Sequence, residues 1–286
     1  MDKIIQQFLN YLKTEKGRTD QTLDNYRFYL NRFFISSKIS QPQQINEQTT
    51  TQYKHWLEQQ TNEFGKNLCQ ATQNYHLTAL RSFIRYLNKK NIITLAAQKV
   101  ILGKLPKKSF NYLDITELPK LLDAPLKTQE ARAVQLRDKA MMELLFCAGL
   151  KVSEISKLKK TDINLNRNEF LVASKFNKPR AAILSNQAQF AIKNYLTFRR
   201  DLSPFLFVRH DKANPTNKPP HITPRSIQRL IKRYAKLAGL KKNITPQTLR
   251  TTFAAQMFNQ GSETESVQNL LGHSSINTTK LYENQI

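Results

Sequence analysis

Apolar residues recur at helical intervals through the N-terminal third of the chain, separated by polar and turn-forming residues. A first helix is predicted over 2–14, where residues three or four apart share an apolar face. Thr19 and Asp20 are candidate N-caps of a second helix, and two more are predicted over about 47–61 and 67–89. The apolar positions behind these predictions are Ile4, Ile5, Phe8, Leu9, Leu12, Leu23, Tyr26, Leu30, Phe33, Phe34, Tyr53, Trp56, Leu57, Leu77, Leu80, Phe83, Ile84 and Leu87. Four such helices predict a small bundle.

The stretch from about Ala96 to Ser109 lacks this periodicity and is rich in lysine, including Lys107 and Lys108. We predict that it is a basic linker, either the hinge of a clamp across a duplex or a solvated tether. The predicted domains are therefore an N-terminal helical domain over 1–105 and a C-terminal domain over 106–286.

The C-terminal domain begins with helical patterns and then changes period. Asp114 and Glu117 have the spacing of a capping box, and a helix is predicted from about Ala131 to Ala148, followed by a helical turn. Residues 169–184 have strand composition around a polar turn and predict a β-hairpin. We therefore expect a mainly α protein with one small β-hairpin, which makes the second domain α+β.

Helical spacing returns in the last third of the chain. Thr223 and Pro224 predict the start of a helix with a strongly basic face. Pro246 suits the first turn of another helix, and a further one, over about 262–271, is predicted to end at Gly272. A short segment after it carries Tyr282.

Charge narrows the classes of partner. The chain of 286 residues has a formal net charge of +24 and a pI near 10.1, so a polyanion is the natural ligand. Both predicted domains are basic, with 15 Lys+Arg against 7 Asp+Glu before residue 106 and 30 against 14 after it. A protein that grips a duplex from two sides would have this distribution, although charge alone does not distinguish DNA from RNA.

The sequence disfavours secreted, membrane-spanning and zinc-binding classes of protein. The N-terminal residues lack the apolar core of a signal peptide, and no apolar run is long enough to cross a membrane. Cys69 and Cys147 lie in apolar helical patterns, so we expect both to be buried thiols in a reducing compartment. No cysteines and histidines have zinc-ligand spacing. These features favour a cytoplasmic, nucleoid-associated protein.

Three residues near the C-terminus suggest a reaction. Arg250 is predicted near the start of a helix, where backbone N–H groups already favour an anion. A histidine, His273, can donate a hydrogen bond or move a proton, and the phenol of Tyr282 can act as a nucleophile. Taken singly, each is more often a surface charge, a cap or a packed ring, so the joint pattern carries the interpretation.

That pattern resembles the C-terminal signature of the tyrosine recombinase (phage integrase) family, T-P-H-x-L-R-H-T-F-A followed by L-G-H-S-x-x-x-T-T-x-x-Y. The resemblance extends over nearly the whole chain and is greatest to the compact Xer-like members. It implies an N-terminal SAM-like core-binding bundle of four helices and a C-terminal catalytic domain. The matching residues are Leu249, Arg250, Thr252, Phe253, Ala254, Leu271, Gly272, His273, Ser274, Thr278, Thr279 and Tyr282.

The resemblance also implies roles. Arg250 would hold the scissile phosphate, His273 would hydrogen-bond it and Tyr282 would attack it. The hairpin lysine that protonates the departing 5′ oxygen would be Lys175, with Lys178 as the second choice. Glu154 matches the acidic residue that orients the site.

Two positions depart from the family. Lys151 stands where the family has its other phosphate-binding arginine, and it keeps the charge but loses the bidentate fork. Gln247 replaces the first histidine of the signature and can donate a hydrogen bond but cannot act as a base. Together these changes could slow cleavage severely. The sequence continues for four residues after Tyr282, so the helix that many relatives dock on a neighbouring protomer is expected to be absent, supplied elsewhere or removed by truncation.

The implied function is site-specific recombination of double-stranded DNA in a homo- or hetero-tetramer, with no metal and no other cofactor. Two alternatives stay open: a weakened or inactive DNA-binding relative that serves as a partner or is a decayed mobile-element protein, and a basic RNA- or DNA-binding protein of another class. The residues expected to bind DNA are Arg81, Arg85, Lys107, Lys108, Arg225 and Arg229.

Overall fold

The computed structural model describes residues 1–106, 110–173, 179–210 and 220–284. The chain forms two compact units, Met1–Lys108 and Ser109–Ile286. Both are mainly helical, and the second contains a small antiparallel sheet, which confirms the predicted fold class. The predicted division of the chain at residue 105 stays a prediction.

The first unit is a helical bundle around an aromatic core. α2 and α4 pack together, with α1 against α2 and α3 against both. Phe8 and Phe83 meet edge to face, with their ring centroids 5.3 Å apart, and both are fully buried. Thr19 caps α2 as predicted, because its hydroxyl accepts the backbone N–H of Thr22 at 3.3 Å. The helices are α1 (Asp2–Thr14), α2 (Asp20–Ser37), α3 (Glu47–Gln59) and α4 (Gln70–Lys89).

A polar pair is buried inside this bundle. The Tyr53 hydroxyl and the Nδ1 atom of His76 are 2.9 Å apart, and His76 is 1% exposed. Burial, with a smaller contribution from Arg32, lowers the pKa of His76 to about 4. The imidazole is therefore neutral at physiological pH.

The predicted linker is wrong in its first half. Ala97 and Val100 are buried in the core of the first unit, and a short 3₁₀ turn covers Ala97–Lys99. The Asn74 side chain exchanges two hydrogen bonds with the backbone of Gly103, at 2.8 and 2.9 Å. Two buried apolar side chains are too few to create a periodic signal.

The second unit is built around α6. This helix packs against α8 and α10, and it is buried on several sides, including both Met141 and Met142. The strands pair antiparallel with Glu169 opposite Ile183. The elements are α5 (Glu117–Asp123), α6 (Arg132–Cys147), α7 (Val152–Lys157), β1 (Glu169–Val172), β2 (Arg180–Ile183), α8 (Asn186–Thr197), α9 (Pro224–Leu237), α10 (Pro246–Asn259), α11 (Thr264–Leu271) and α12 (Ile276–Glu283).

The last three helices form a small core of their own. Pro246 occupies the first turn of α10, and the Thr245 hydroxyl accepts the N–H of Thr248 at 3.3 Å. α11 ends at Gly272, whose φ of +64° is the left-handed conformation of a helix C-cap. The buried members of this core are Phe253, Ala254, Val267, Leu271 and Tyr282.

The cysteine prediction is half right. Cys147 is buried, but Cys69 is exposed at the N-cap of α4, because the apolar face of that helix begins only after its first turn. Throughout the residues that the structure describes, every helix is too short or too polar to span a bilayer.

Candidate active site

Tyr282 lies inside the second unit, on α12. Its side chain is buried, at 4% exposure for the whole residue, and its hydroxyl oxygen accepts a hydrogen bond from Nε2 of Gln247 at 2.6 Å. Its ring meets Phe110 edge to face, with centroids 4.7 Å apart, and the His273 ring lies 5.5 Å away. Aromatic packing and one amide therefore fix both ends of the phenol.

Arg250 reaches this phenol from the first turns of α10. It is 2% exposed, and its guanidinium donates to the carbonyl oxygens of Gly149 at 2.5 Å and Leu271 at 2.6 Å. The Tyr282 phenol is a near neighbour of this guanidinium and favours its charged form. Burial, reinforced by the neighbouring charge of Arg180, lowers the pKa of Arg250 to about 10, so it stays cationic at neutral pH.

His273 directly follows Gly272, the C-cap of α11, and its ring lies beside that of Tyr282. Its Nδ1 atom lies 2.9 Å from the hydroxyl of Thr279, a fully buried residue. Burial, together with the positive charges of Arg250, Lys151 and Arg180, lowers the pKa of His273 to about 4. The ring is therefore neutral at physiological pH and can donate a hydrogen bond without adding charge.

Lys151 and Glu154 lie at the start of α7. A single carboxylate oxygen of Glu154, Oε2, accepts the backbone N–H of Lys151 at 2.8 Å and Nη2 of Arg180 at 3.0 Å. Burial lowers the pKa of Lys151; Glu154 opposes that effect, while Arg250 and Arg180 add to it. Lys151 is thus close enough to the arginines for their charges to affect its protonation.

Sequence reasoning missed Arg180, the first residue of β2. It is 9% exposed, and besides Glu154 it binds the carbonyl oxygen of Leu270 through Nη1, at 2.5 Å. A signal was present in the sequence, because Arg180 shares the inward face of the strand with Ala182. A basic residue at an inward strand position needs a buried partner.

The remaining predicted residues lie elsewhere or outside the described ranges. Lys175, its alternative Lys178, and Lys107 and Lys108 fall outside the described residues. In the first unit, Arg81 donates to the carbonyl oxygen of Val100 at 2.5 Å, which ties α4 to the chain that follows it, whereas Arg85 is exposed. Arg225 and Arg229 are exposed on α9.

The geometry suits an anion next to a nucleophile. Arg180 is paired with the carboxylate of Glu154, and the charges of Lys151 and Arg250 are close enough to interact with it and with the neutral His273. Arginine and lysine in a partly desolvated site stabilise charge that develops on a phosphate. A phenol held beside them can attack that phosphate.

Comparison with known proteins covers both units. The phage integrase family profile matches residues 111–285, and the profile of the phage integrase N-terminal SAM-like domain matches residues 5–91. Tyrosine recombinase XerC of Thermodesulfovibrio yellowstonii is 30% identical over 281 residues, covering 97% of this chain and 90% of the relative. Tyrosine recombinase XerD of Staphylococcus saprophyticus is 32% identical over 289 residues, covering 99% and 94%.

Solved structures have the same fold at lower sequence identity. A post-cleavage complex of the XerH site-specific recombinase with its palindromic difH substrate matches with a TM-score of 0.73 and 21% identity, covering 98% of this chain and 81% of that one. A lambda integrase dimer bound to a COC′ core site matches with a TM-score of 0.74 and 17% identity, covering 100% and 95%.

Proposed function

This chain belongs to the phage integrase family of tyrosine recombinases, and from that premise we propose that Tyr282 cuts and rejoins DNA strands through a 3′-phosphotyrosyl intermediate. The observation that carries the proposal is the convergence of three side chains. The Tyr282 hydroxyl accepts a hydrogen bond from Gln247 at 2.6 Å, its ring lies 5.5 Å from that of His273, and the buried Arg250 is near enough for the phenol to favour its charged form.

The substrate is double-stranded DNA. The net charge of +24 favours a polyanion, and the similar XerH and lambda integrase structures were solved with their DNA sites. Exposed arginines on both units, Arg85 on α4 and Arg225 and Arg229 on α9, serve as phosphate contacts, as do Lys107 and Lys108. Binding of this kind weakens steeply with salt, because each neutralised phosphate releases counterions.

In the cleavage step, the Tyr282 oxygen forms a bond to phosphorus and the bond between phosphorus and the 5′ oxygen breaks. Arg250, Lys151 and His273 contact the non-bridging oxygens, where charge builds up. Lys175 gives a proton to the leaving 5′ oxygen, and the phenolic proton of Tyr282 passes to a solvent water. Attack by a 5′ hydroxyl of the partner strand reverses these changes and joins new ends without ATP.

The two departures from the family signature act on this step. Lys151 supplies charge without a bidentate fork, and a lost charged hydrogen bond corresponds to ~1.5–3 kcal/mol. Gln247 orients the attacking oxygen without accepting its proton. The enzyme is therefore expected to cleave more slowly than members with arginine and histidine at these positions.

Strand exchange between two duplexes requires four active sites, so the working assembly is a tetramer on DNA, formed by this chain alone or with a second recombinase. It acts where the DNA is, in the cytoplasm at the nucleoid. The lambda integrase structure, a dimer on a core site, is consistent with assembly on DNA.

A nicked suicide substrate tests the function. The cognate site is first located by footprinting, and a nick close to the cleavage position then lets the short 5′ fragment diffuse away, so that the covalent intermediate accumulates. We expect a protein–DNA adduct that survives denaturation and is absent in Tyr282→Phe. Specific binding of the intact site without any adduct would instead identify an inactive DNA-binding relative.

A further inference from the structure

We propose that Arg180 is a positioning residue for the cleavage step. It fixes the His273 corner (residues 272–273) and the Lys151 segment (residues 151–154) relative to each other. This inference rests on the proposed function for its catalytic consequence, but its structural part can be tested without cleavage. Three independent contacts of Arg180 support it.

The first contact completes the C-terminal end of α11. The last four carbonyl groups of a helix have no intrahelical partner, and here each of the four has one. The backbone N–H of His273 binds Gln268 and that of Gly272 binds Asn269. Arg180 binds the carbonyl oxygen of Leu270, and Arg250 binds that of Leu271. Two arginines therefore share the negative end of the helix that leads directly into His273.

The second contact is steric and involves Gly272. A Cβ atom at this position would lie 2.7 Å from Cδ of Arg180 and 3.0 Å from its Nε. The Arg180 stem therefore packs directly against the residue before His273. Glycine is required there both for its φ of +64° and for this close approach. A side chain at this position would therefore disturb both the backbone turn and the packing of Arg180.

The third contact is to the other side of the site. Oε2 of Glu154 accepts from both Nη2 of Arg180 and the backbone N–H of Lys151. The side chains of this ion pair are 8% and 15% exposed, so the carboxylate is held in one orientation. The position of the Lys151 backbone thus depends on the same guanidinium that fixes the His273 corner.

Arg180 itself does not serve as a phosphate ligand in this arrangement. Its Nη2 atom is paired with the carboxylate of Glu154 at 3.0 Å, which offsets its positive charge. Arg250 donates instead to two neutral acceptors, the carbonyl oxygens of Gly149 and Leu271. In the proposed function Arg250 is therefore the cation that binds the phosphate, and Arg180 holds the surrounding segments in place.

The test compares Arg180→Gln with a matched buried arginine. Arg199 also pairs with a carboxylate, that of Asp201, and donates to backbone carbonyl oxygens, those of Phe205 and Leu206. Its side chain is 2% exposed. Arg199→Gln therefore controls for the loss of stability on removing a buried arginine. Thermal unfolding sets a temperature at which all variants are folded.

The kinetic measurement is single-turnover adduct formation at saturating protein, with DNA affinity measured separately at one salt concentration. Arg180→Gln should cleave at least about tenfold more slowly than the parent, with affinity within about twofold. Arg199→Gln should cleave at the parent rate, and Arg180→Lys, which keeps the charge, should recover part of the loss. Glu154→Gln added to Arg180→Gln should cost little more, because the two residues act as one unit.

A second measurement does not depend on cleavage. With ¹³C-labelled histidine, the ring resonance of His273 is assigned from its loss in His273→Gln. We expect Arg180→Gln to shift this resonance and its titration, and Arg199→Gln to leave both unchanged. If the parent forms no adduct, the proposed function fails and this resonance alone decides the role of Arg180. An unchanged resonance, parent-like cleavage by Arg180→Gln, or slower cleavage fully explained by weaker DNA binding would overturn the inference.

Discussion

The side-chain amide of Gln247 donates to the hydroxyl oxygen of Tyr282 across 2.6 Å. An amide can hold this oxygen in place and stabilise negative charge as it develops, but it has no pKa near neutrality and cannot remove the phenolic proton. Under the proposed mechanism, Gln247 would therefore orient the attacking oxygen, as the signature histidine does, but would not remove its proton.

Removing that donor should slow cleavage without weakening DNA binding. We expect Gln247→Ala to reduce single-turnover adduct formation by about ten- to a hundredfold, since a hydrogen bond to a developing charge contributes ~1.5–3 kcal/mol. Gln247→His should exceed the parent rate, because it adds a group able to accept a proton. If Gln247→Ala cleaves like the parent, the 2.6 Å contact has no part in catalysis.

We expect Lys151 to give the proposed reaction a distinctive alkaline limit. Burial and the nearby arginines lower its pKa, so its positive charge is lost at a lower pH than for an ordinary lysine. The second-order rate of adduct formation, which reports the free enzyme, should therefore fall as the pH rises above neutrality toward that lowered pKa. In Lys151→Arg the fall should move to higher pH and the neutral rate should rise. Identical alkaline profiles for the two proteins would exclude Lys151 as the group responsible.

Much of this fold follows from local rules. The amphipathic periods located the bundle helices, Thr19 and Pro246 marked two helix starts, and Gly272 marked a helix end. These signals depend on neighbours three or four residues apart, so a sequence displays them directly. The packing of Ala97 and Val100 on the first core and the exposure of Cys69 depend on tertiary neighbours instead.

The candidate site also combines features that the sequence predicts with features that depend on tertiary contacts. The proximity of Arg250, His273 and Tyr282 could be anticipated from the family signature, but their roles in catalysis remain predictions. Arg180 was missed, because its partners lie 26 and 90 residues away along the chain. A long-range ion pair of this kind leaves only a weak local trace, which here is one basic residue on the inward face of a short strand.

Phe110 should influence the nucleophile through packing. Its ring meets that of Tyr282 edge to face, with centroids 4.7 Å apart, and such pairs contribute ~0.5–1.5 kcal/mol beyond area burial. We expect Phe110→Ala to lower the cleavage rate several-fold while DNA binding persists. Phe190, which is 67% exposed on α8, provides the control, and Phe190→Ala should cleave normally. Equal rates for both variants would mean that the phenol is held without Phe110.

Alanine substitutions at Gly239 and Gly272 distinguish the cost of a left-handed backbone conformation from the cost of steric overlap. Gly239 and Gly272 both have positive φ, +71° and +64°, but a Cβ at Gly239 would meet nothing within 4 Å, whereas at Gly272 it would overlap Arg180. Gly239→Ala should therefore lower the free energy of unfolding by ~1–2 kcal/mol, the cost of a left-handed residue with a side chain. Gly272→Ala should lose a further ~1–3 kcal/mol from overpacking. Denaturant unfolding measures both, and equal losses would contradict the close packing at Gly272.

The buried histidine of the first unit should make the protein acid-sensitive. The pKa of His76 is about 4 in the folded chain, against an ordinary value of 6.5, so the unfolded chain binds more protons between these two values. Stability is then retained above about pH 6.5 and lost as the pH falls toward 4. His76→Gln keeps a hydrogen-bonding partner for the Tyr53 hydroxyl but does not titrate, so its melting temperature should fall less than that of the parent between pH 7 and pH 5. Carboxylates and His273 titrate in both proteins, and the difference between the two slopes therefore isolates His76. Parallel slopes would show that this ring is not kept neutral by the fold.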